Sequence, residues 1–226
     1  MSDGLFSGTE WESAVAGDRL ALRRLIEERL RDSRAVPDTA SALPAGFAAS
    51  DVESIRAYFP ATPIAAAVLV PIVDHESGLT VLLTQRASHL KNHAGQISFP
   101  GGRIEASDLN PLEAALRETE EEIGVSREHI TFVGYLEPQL VLTGYWVTPV
   151  VAFVQPGFQL RLDCREVESA FEVPLLHILD AANHQSRERK LGEISVQVYD
   201  IPYGEHHIWG ATAGMLISLY RLLRNK

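Results

Sequence analysis

Two nearly unbroken apolar runs, IAAAVLVPIV from Ile64 and LTVLLT from Leu79, stand either side of a turn-like DHESG and narrow the folds open to this chain. Runs of this length, rich in Val, Ile and Leu and closed by turn residues, read as a hairpin of two largely buried strands. Downstream, ITFVGYLEP from Ile130, YWVTPVVAFV from Tyr145 and EISVQVYDIP from Glu193 read as further strands. Helices are expected over Pro111 to Ile123, closed by Gly124, over Val167 to Leu179, and over His207 to Leu223. Strands and helices mix without regular βαβ alternation, which favours an α+β chain built as an α/β/α sandwich.

The N-terminal part reads differently. Leu20, Leu22, Leu25, Ile26 and Leu30 recur among Arg and Glu, so one helix is expected over residues 9–33. The Ala-, Ser- and Pro-rich stretch from Ser33 to Ser50 reads as a linker, and Ser50 or Asp51 as the cap of a short helix reaching Ala57. Residues 1–60 are therefore expected to form an N-terminal helical extension, serving packing or a homodimer contact, and residues 61–226 the working domain.

Composition removes several function classes. A net charge of −10 over 226 residues speaks against a nucleic-acid partner. A single cysteine, Cys164, leaves no intrachain disulfide and no cysteine-rich metal site. The longest apolar run, within Pro63 to Val73, falls short of the roughly 20 residues a membrane helix needs. No basic start followed by an apolar run opens the chain, so no membrane role and a cytoplasmic location are expected.

The chemistry concentrates on the predicted helix before Gly124. At about 100° per residue, Leu112, Ala115, Leu116, Thr119 and Ile123 form a stripe suited to packing on a sheet. Glu118, Glu121 and Glu122 stand at i, i+3 and i+4 and share another face. Like charges so placed cost a few tenths of a kcal/mol per pair in water, by the order of magnitude found for isolated helices. A hard dication such as Mg²⁺ or Mn²⁺ reverses that sign, because it prefers oxygen ligands and also holds diphosphate oxygens. Arg117 reaches Glu121 at i+4 and is placed to orient a carboxylate, while Gly101 and Gly102 are read as a tight loop permitting close backbone approach to a phosphate.

GGRIEASDLNPLEAALRETEEEIGV, Gly101 to Val125, resembles the Nudix box, G-x5-E-x7-R-E-U-x-E-E-x-G-U with U apolar. Asp108 stands for the usual Glu after a spacer that leaves one extra residue before Arg117, and Thr119 replaces an apolar residue. The resemblance implies a Nudix-type α/β/α sandwich with a mixed sheet, and metal-assisted attack of water on a nucleoside diphosphate derivative. Just upstream, LLTQRASHLKNHAGQISFPGG is similar to the segment that marks the coenzyme A diphosphatase branch, matching at Leu82, Leu83, Thr84, Arg86, Ala87, Leu90, His93, Gly95, Phe99, Pro100, Gly101 and Gly102. Arg86, Lys91 and His93 bring cations near the box, with Arg86 and His93 as substrate contacts and Arg86 alternatively a partner for the glutamates. EVESAFEVPLLHIL and HHIWGATAGML are again similar to that branch.

What the resemblance implies is a Mg²⁺- or Mn²⁺-dependent hydrolase in which Glu118, Glu121 and Glu122 gather the metal. Glu121 or Glu166 positions or deprotonates water, with Glu168 the second choice for the distal base. The products from coenzyme A are 4′-phosphopantetheine and 3′,5′-adenosine diphosphate. ADP-ribose, NADH or another nucleotide derivative is the alternative substrate, and a nucleotide-sensing module without catalysis is the alternative of another class.

Overall fold

A computed structural model describes residues 8–36, 62–90, 92–191 and 194–225. Residues 37–50 of the expected linker, the short helix through Ala57 and Lys91 lie outside the described residues. Two helices open the fold, α1 (Gly8–Val15) and α2 (Arg19–Leu30). The strands β1 (Ile64–His75), β2 (Gly78–Arg86), β3 (Ile97–Ser98) and β4 (Gly101–Arg103) lead into helix α3 (Pro111–Ile123). Then come β5 (Ile130–Tyr135), β6 (Gln139–Val141), β7 (Tyr145–Val154), β8 (Val167–Pro174) and helix α4 (Leu175–Leu179). The chain closes with β9 (Gln185–Leu191), β10 (Ile194–Tyr203), β11 (His206–Trp209) and α5 (Gly210–Arg224).

The near-continuous hydrophobicity of β1 follows from its place at the centre of an eight-stranded mixed sheet, between antiparallel β2 and parallel β7. Neighbouring side chains along a strand leave on opposite faces, so a strand covered on both sides is apolar at every position. Ala66, Val70 and Ile72 enter the core shared with α2 and α5, whereas Ala67 and Leu69 meet Ala114 and Ala115 of α3. The result is the expected α/β/α sandwich, with α3, among the described helices, covering the face opposite α2 and α5. A second, three-stranded antiparallel sheet, β11-β10-β9, flanks it. No helix among the described residues is long and apolar enough to cross a membrane.

Three expected helices are corrected. The helix over residues 9–33 is two helices, because Gly17 turns the chain at φ +99° and the Asp18 side chain caps α2 by accepting from Ala21 N–H. Leu22, Leu25, Ile26 and Leu30 of α2 are buried in the main core, and Arg19 and Arg23 both bind the β1 carboxylate Asp74. Val167 to Pro174 is strand rather than helix. It covers the outer edge of β2 with Val173 opposite Val81, and only Leu175–Leu179 coils, after Pro174. The last helix starts at Gly210, since His206–Trp209 pairs with β10.

Candidate active site

Helix α3 is bounded by its own chemistry. Asn110 accepts from Glu113 N–H at 3.1 Å, Pro111 occupies the first turn, and Gly124 ends the helix in the left-handed region at φ +74°. The last carbonyls are also taken up: Arg161 N–H donates to Ile123 and Asp163 N–H to Glu122, both at 2.9 Å. These bonds fasten the loop carrying Glu166 to the end of the carboxylate helix. Thr119, an unexpected polar residue on the apolar stripe, is satisfied by donating its hydroxyl to Ala115 C=O at 2.6 Å.

The three glutamates expected to share one face occupy three environments. Glu122 is turned inward and only 4% exposed, accepting from Gly101 N–H at 3.2 Å. Burial pushes its carboxyl up to about 8, against the lowering effects of that N–H and of the nearby Arg86 charge. Glu118 is also raised by burial, which outweighs its ion pair with Arg117 at 2.9 Å. Glu121 stands 60% exposed, 3.3 Å from Arg117. Burial varies in this way because i, i+3 and i+4 span an arc of the helix, and Glu122 lies at the edge where the arc meets the sheet.

Arg117 is the hub. Its Nε and Nη2 fork onto the two oxygens of Asp108 at 3.1 and 3.0 Å, Nη1 reaches Glu118 and Glu121, and Nη2 also donates to Arg103 C=O at 3.0 Å. The hydrogen bonds from Arg117 hold Asp108 below the usual carboxylate range, and Arg117 is raised in turn. Asp108 therefore answers the departure seen in the sequence: one residue more in the loop and one methylene less in the side chain still bring a carboxylate to the guanidinium. That partnership was hidden in the sequence as a mismatch.

Gly101 and Gly102, expected as a loop, form strand β4 paired with Val68 and Ala67 of β1. A Cβ on Gly101, at φ +152°, would run into the Ala67 carbonyl. A Cβ on Gly102 would sit 2.5 Å from the Glu118 carboxyl carbon. Gly102→Ala is expected to push Glu118 aside and lower kcat at least about tenfold, while shifting stability by no more than about 1 kcal/mol. Parallel rate and thermal-unfolding measurements check it; full activity in the variant would show that the Glu118 position is immaterial.

Across the cleft, the charge of Glu166 acts on both Glu118 and Glu122, raising each carboxyl, so it faces the same site. Its backbone carbonyl accepts from Ala87 N–H at 2.9 Å, beside Arg86. Glu168 is engaged elsewhere, accepting from Ser88 N–H at 3.1 Å. Arg86 ends β2 near Glu122, and its buried Nε has no hydrogen-bond partner among the described residues. His93 adopts the left-handed region at φ +58° and pairs with the Gln96 side chain at 2.7 Å, ordering the loop that folds back onto Arg86 through Gly95 N–H and Gln96 C=O. Arg86 is thus placed with the carboxylates, whereas the described partner of His93 is its own loop.

The site's donors suit a hard dication: they are carboxylate oxygens, and burial disfavours the charge on Glu122 and Glu118 unless a cation offsets it. Among the described residues, no three His, Cys, Asp or Glu side chains are already disposed around one point. Holding an ion between them requires the exposed Glu121 side chain to swing in, while Glu118, held by Arg117 through Oε1, has its second oxygen to offer.

A family model, NUDIX domain, matches residues 63–193. The uncharacterized Nudix hydrolase NudL of Escherichia coli strain K12 is 40% identical over 155 residues, covering 68% of this chain and 80% of that protein. Solved structures include a MutT/nudix family protein from Enterococcus faecalis, at 15% identity and TM-score 0.47 over 97% of this chain and 75% of that one. Another is the NUDIX domain of Shewanella oneidensis NrtR complexed with ADP ribose, at 21% identity and TM-score 0.41 over 56% of this chain and 85% of that one. Matched by the family model over more than half its length, the chain belongs to the Nudix family and is a hydrolase acting on pyrophosphate bonds.

Proposed function

We propose that the enzyme hydrolyses the diphosphate of coenzyme A or a derivative, giving 4′-phosphopantetheine and 3′,5′-adenosine diphosphate. The observation that carries the reading is Arg86: it belongs to the branch-like segment Leu82 to Gly102, lies beside the buried carboxylate Glu122, and has a buried Nε without a hydrogen-bond partner among the described residues. A guanidinium so placed offers phosphate oxygens a planar fork while remaining fixed to the end of a core strand.

Nudix hydrolases generally need divalent ions such as Mg²⁺ or Mn²⁺, and here Glu118, Glu121 and Glu122 would hold them. When bound, the ion neutralises diphosphate charge and lowers the pKa of its water. The chain supplies the rest. Arg86 binds a phosphate oxygen, and Arg117, anchored by Asp108, holds Glu118 in position. Glu166, solvent-facing and tied to the same loop as Ala87, accepts the proton of the attacking water. Water oxygen bonds to one phosphorus, the bridging oxygen departs on the other phosphate, and the proton passes to Glu166 before release. His93 orders the loop that presents Arg86.

Incubation with Mg²⁺ or Mn²⁺ and coenzyme A, with ADP-ribose and NADH in parallel, tests this by mass spectrometry. Release of 4′-phosphopantetheine with the highest kcat/KM among the three is expected. Turnover confined to ADP-ribose or NADH would overturn the substrate while leaving the hydrolase intact. Arg86→Ala is expected to raise KM for coenzyme A by about tenfold or more, as loss of a charge-assisted contact implies.

A further inference from the structure

The three-stranded sheet turns one face to the core through Ile201 and Ile208, which are fully buried. Its other face carries a cavity of about 130 Å³ lined by Arg187, Arg189, Val198, Asp200, His207 and Trp209. Alternation along the strands puts these side chains together: Arg187 and Arg189 are two apart on β9, and Trp209 lies opposite Asp200. None of them contributes to the diphosphate chemistry above.

Asp200 is the anomaly. Its side chain is 5% exposed, and one oxygen takes Arg187 Nη2 at 2.9 Å with His207 Nδ1 at 3.6 Å. The other oxygen, Oδ1, is buried and has no hydrogen-bond partner among the described residues. A buried acceptor left unpaired destabilises the fold, so a ligand that brings an N–H to it gains what the fold forgoes. Beside it, the Arg189 guanidinium lies 4.3 Å from the centre of the Trp209 ring, a flat cationic and aromatic pair suited to stacking against a planar ring. Arg187 and Arg189 against one carboxylate leave the cavity net positive, which favours an anionic ligand.

One unpaired oxygen suits a single amino N–H, where guanine would present two adjacent donors, and a purine offers Arg189 and Trp209 a larger face than cytosine; with an attached anion, these features describe an adenine nucleotide. We infer that this cavity is an adenine-nucleotide site, with the amino group donating to Asp200 Oδ1, the ring against Arg189 and Trp209, and a phosphate drawn to the exposed ends of Arg187 and His207. The inference goes beyond the proposed diphosphate hydrolysis and does not require coenzyme A as substrate. Two sources share this chemistry: the adenosine half of a substrate, or a separate nucleotide.

Titration calorimetry on the full-length, EDTA-treated protein compares adenosine monophosphate with inosine monophosphate, in which a carbonyl replaces the amino group. Saturable binding of the adenine nucleotide, at least tenfold tighter than the inosine one, is expected. Arg189→Ala, an exposed substitution that leaves the sheet intact, should weaken it about tenfold. Asp200→Asn, which offers a donor in place of the acceptor, should shift preference toward inosine monophosphate. Equal affinities, no saturable binding, or an unchanged Kd in Arg189→Ala would overturn the site. Kinetics on the substrate that the enzyme turns over, among coenzyme A, ADP-ribose and NADH, then identify the source: an effect of adenosine monophosphate on KM alone that Arg189→Ala abolishes assigns the cavity to the substrate's adenosine. A change in kcat abolished by the same variant assigns it to a separate nucleotide.

Discussion

Glu122→Gln is expected to abolish hydrolysis and, at the same time, to stabilise the metal-free protein. Loss of partners one shell removed from a metal costs about 10–100-fold, so loss of a carboxylate proposed as a ligand should exceed about 100-fold in kcat/KM. The stability change has the opposite sign. The folded Glu122 carboxyl is pushed up to about 8 by burial, whereas in the unfolded chain it lies near its ordinary value of about 4.3. Below pH 4 it is neutral in both states and costs nothing. Between pH 4 and 8 the unfolded chain releases the proton that the folded chain keeps, so stability falls as pH rises and levels off above 8. The loss at neutral pH is on the order of 3 kcal/mol. Glutamine keeps the shape and the acceptor for Gly101 N–H without that proton. Thermal unfolding in EDTA should therefore show the variant several degrees above the parent at pH 8 and equal to it at pH 4. A saturating divalent ion should stabilise the parent and not the variant. Equal midpoints at pH 8 would mean that Glu122 is ionised without cost in the folded chain.

This opposition bears on how much of the site can be read from residues alone. Pro111, Asn110 and Gly124 are local signals, and they bound α3 where the sequence places it. The grouping of Glu118, Glu121 and Glu122 follows from helical spacing. Their inequality does not, because which edge of the arc meets β4 depends on a strand in which Gly102 leaves room for Glu118 and Gly101 for the backbone of β1. The same division explains the misread helices. VESAFEVP carries mixed polarity compatible with either period, and it becomes a strand because the edge of β2 accepts it. Gly17 breaks an otherwise helical N-terminal pattern, a one-residue signal outweighed by the leucine and isoleucine repeat that follows it. Asp200 gave no local signal: its carboxylate matters only once β9 and β11 fold beside it.

Arg117 is where fold and chemistry are joined most tightly, and its two replacements should separate them. Arg117→Ala leaves Asp108, 5% exposed, without its fork, and releases Glu118 and Glu121 to repel each other. Breaking a buried ion pair costs about 3–5 kcal/mol and an exposed one about 0–1; for this pair, where Arg117 stays 23% exposed, an intermediate loss of about 2 kcal/mol is expected. Activity should fall about 10–100-fold, since Glu118 loses the donor that fixes it. Arg117→Lys keeps one charge but cannot span both Asp108 oxygens while also reaching Glu118 and the Arg103 carbonyl. It should recover most of the stability and little of the rate, because an ammonium that stays with Asp108 leaves Glu118 unheld. Recovery of the rate by lysine would reduce Arg117 to a point charge, and the geometry of its fork would then have no bearing on catalysis. Urea unfolding and initial rates on the same two variants decide between these outcomes.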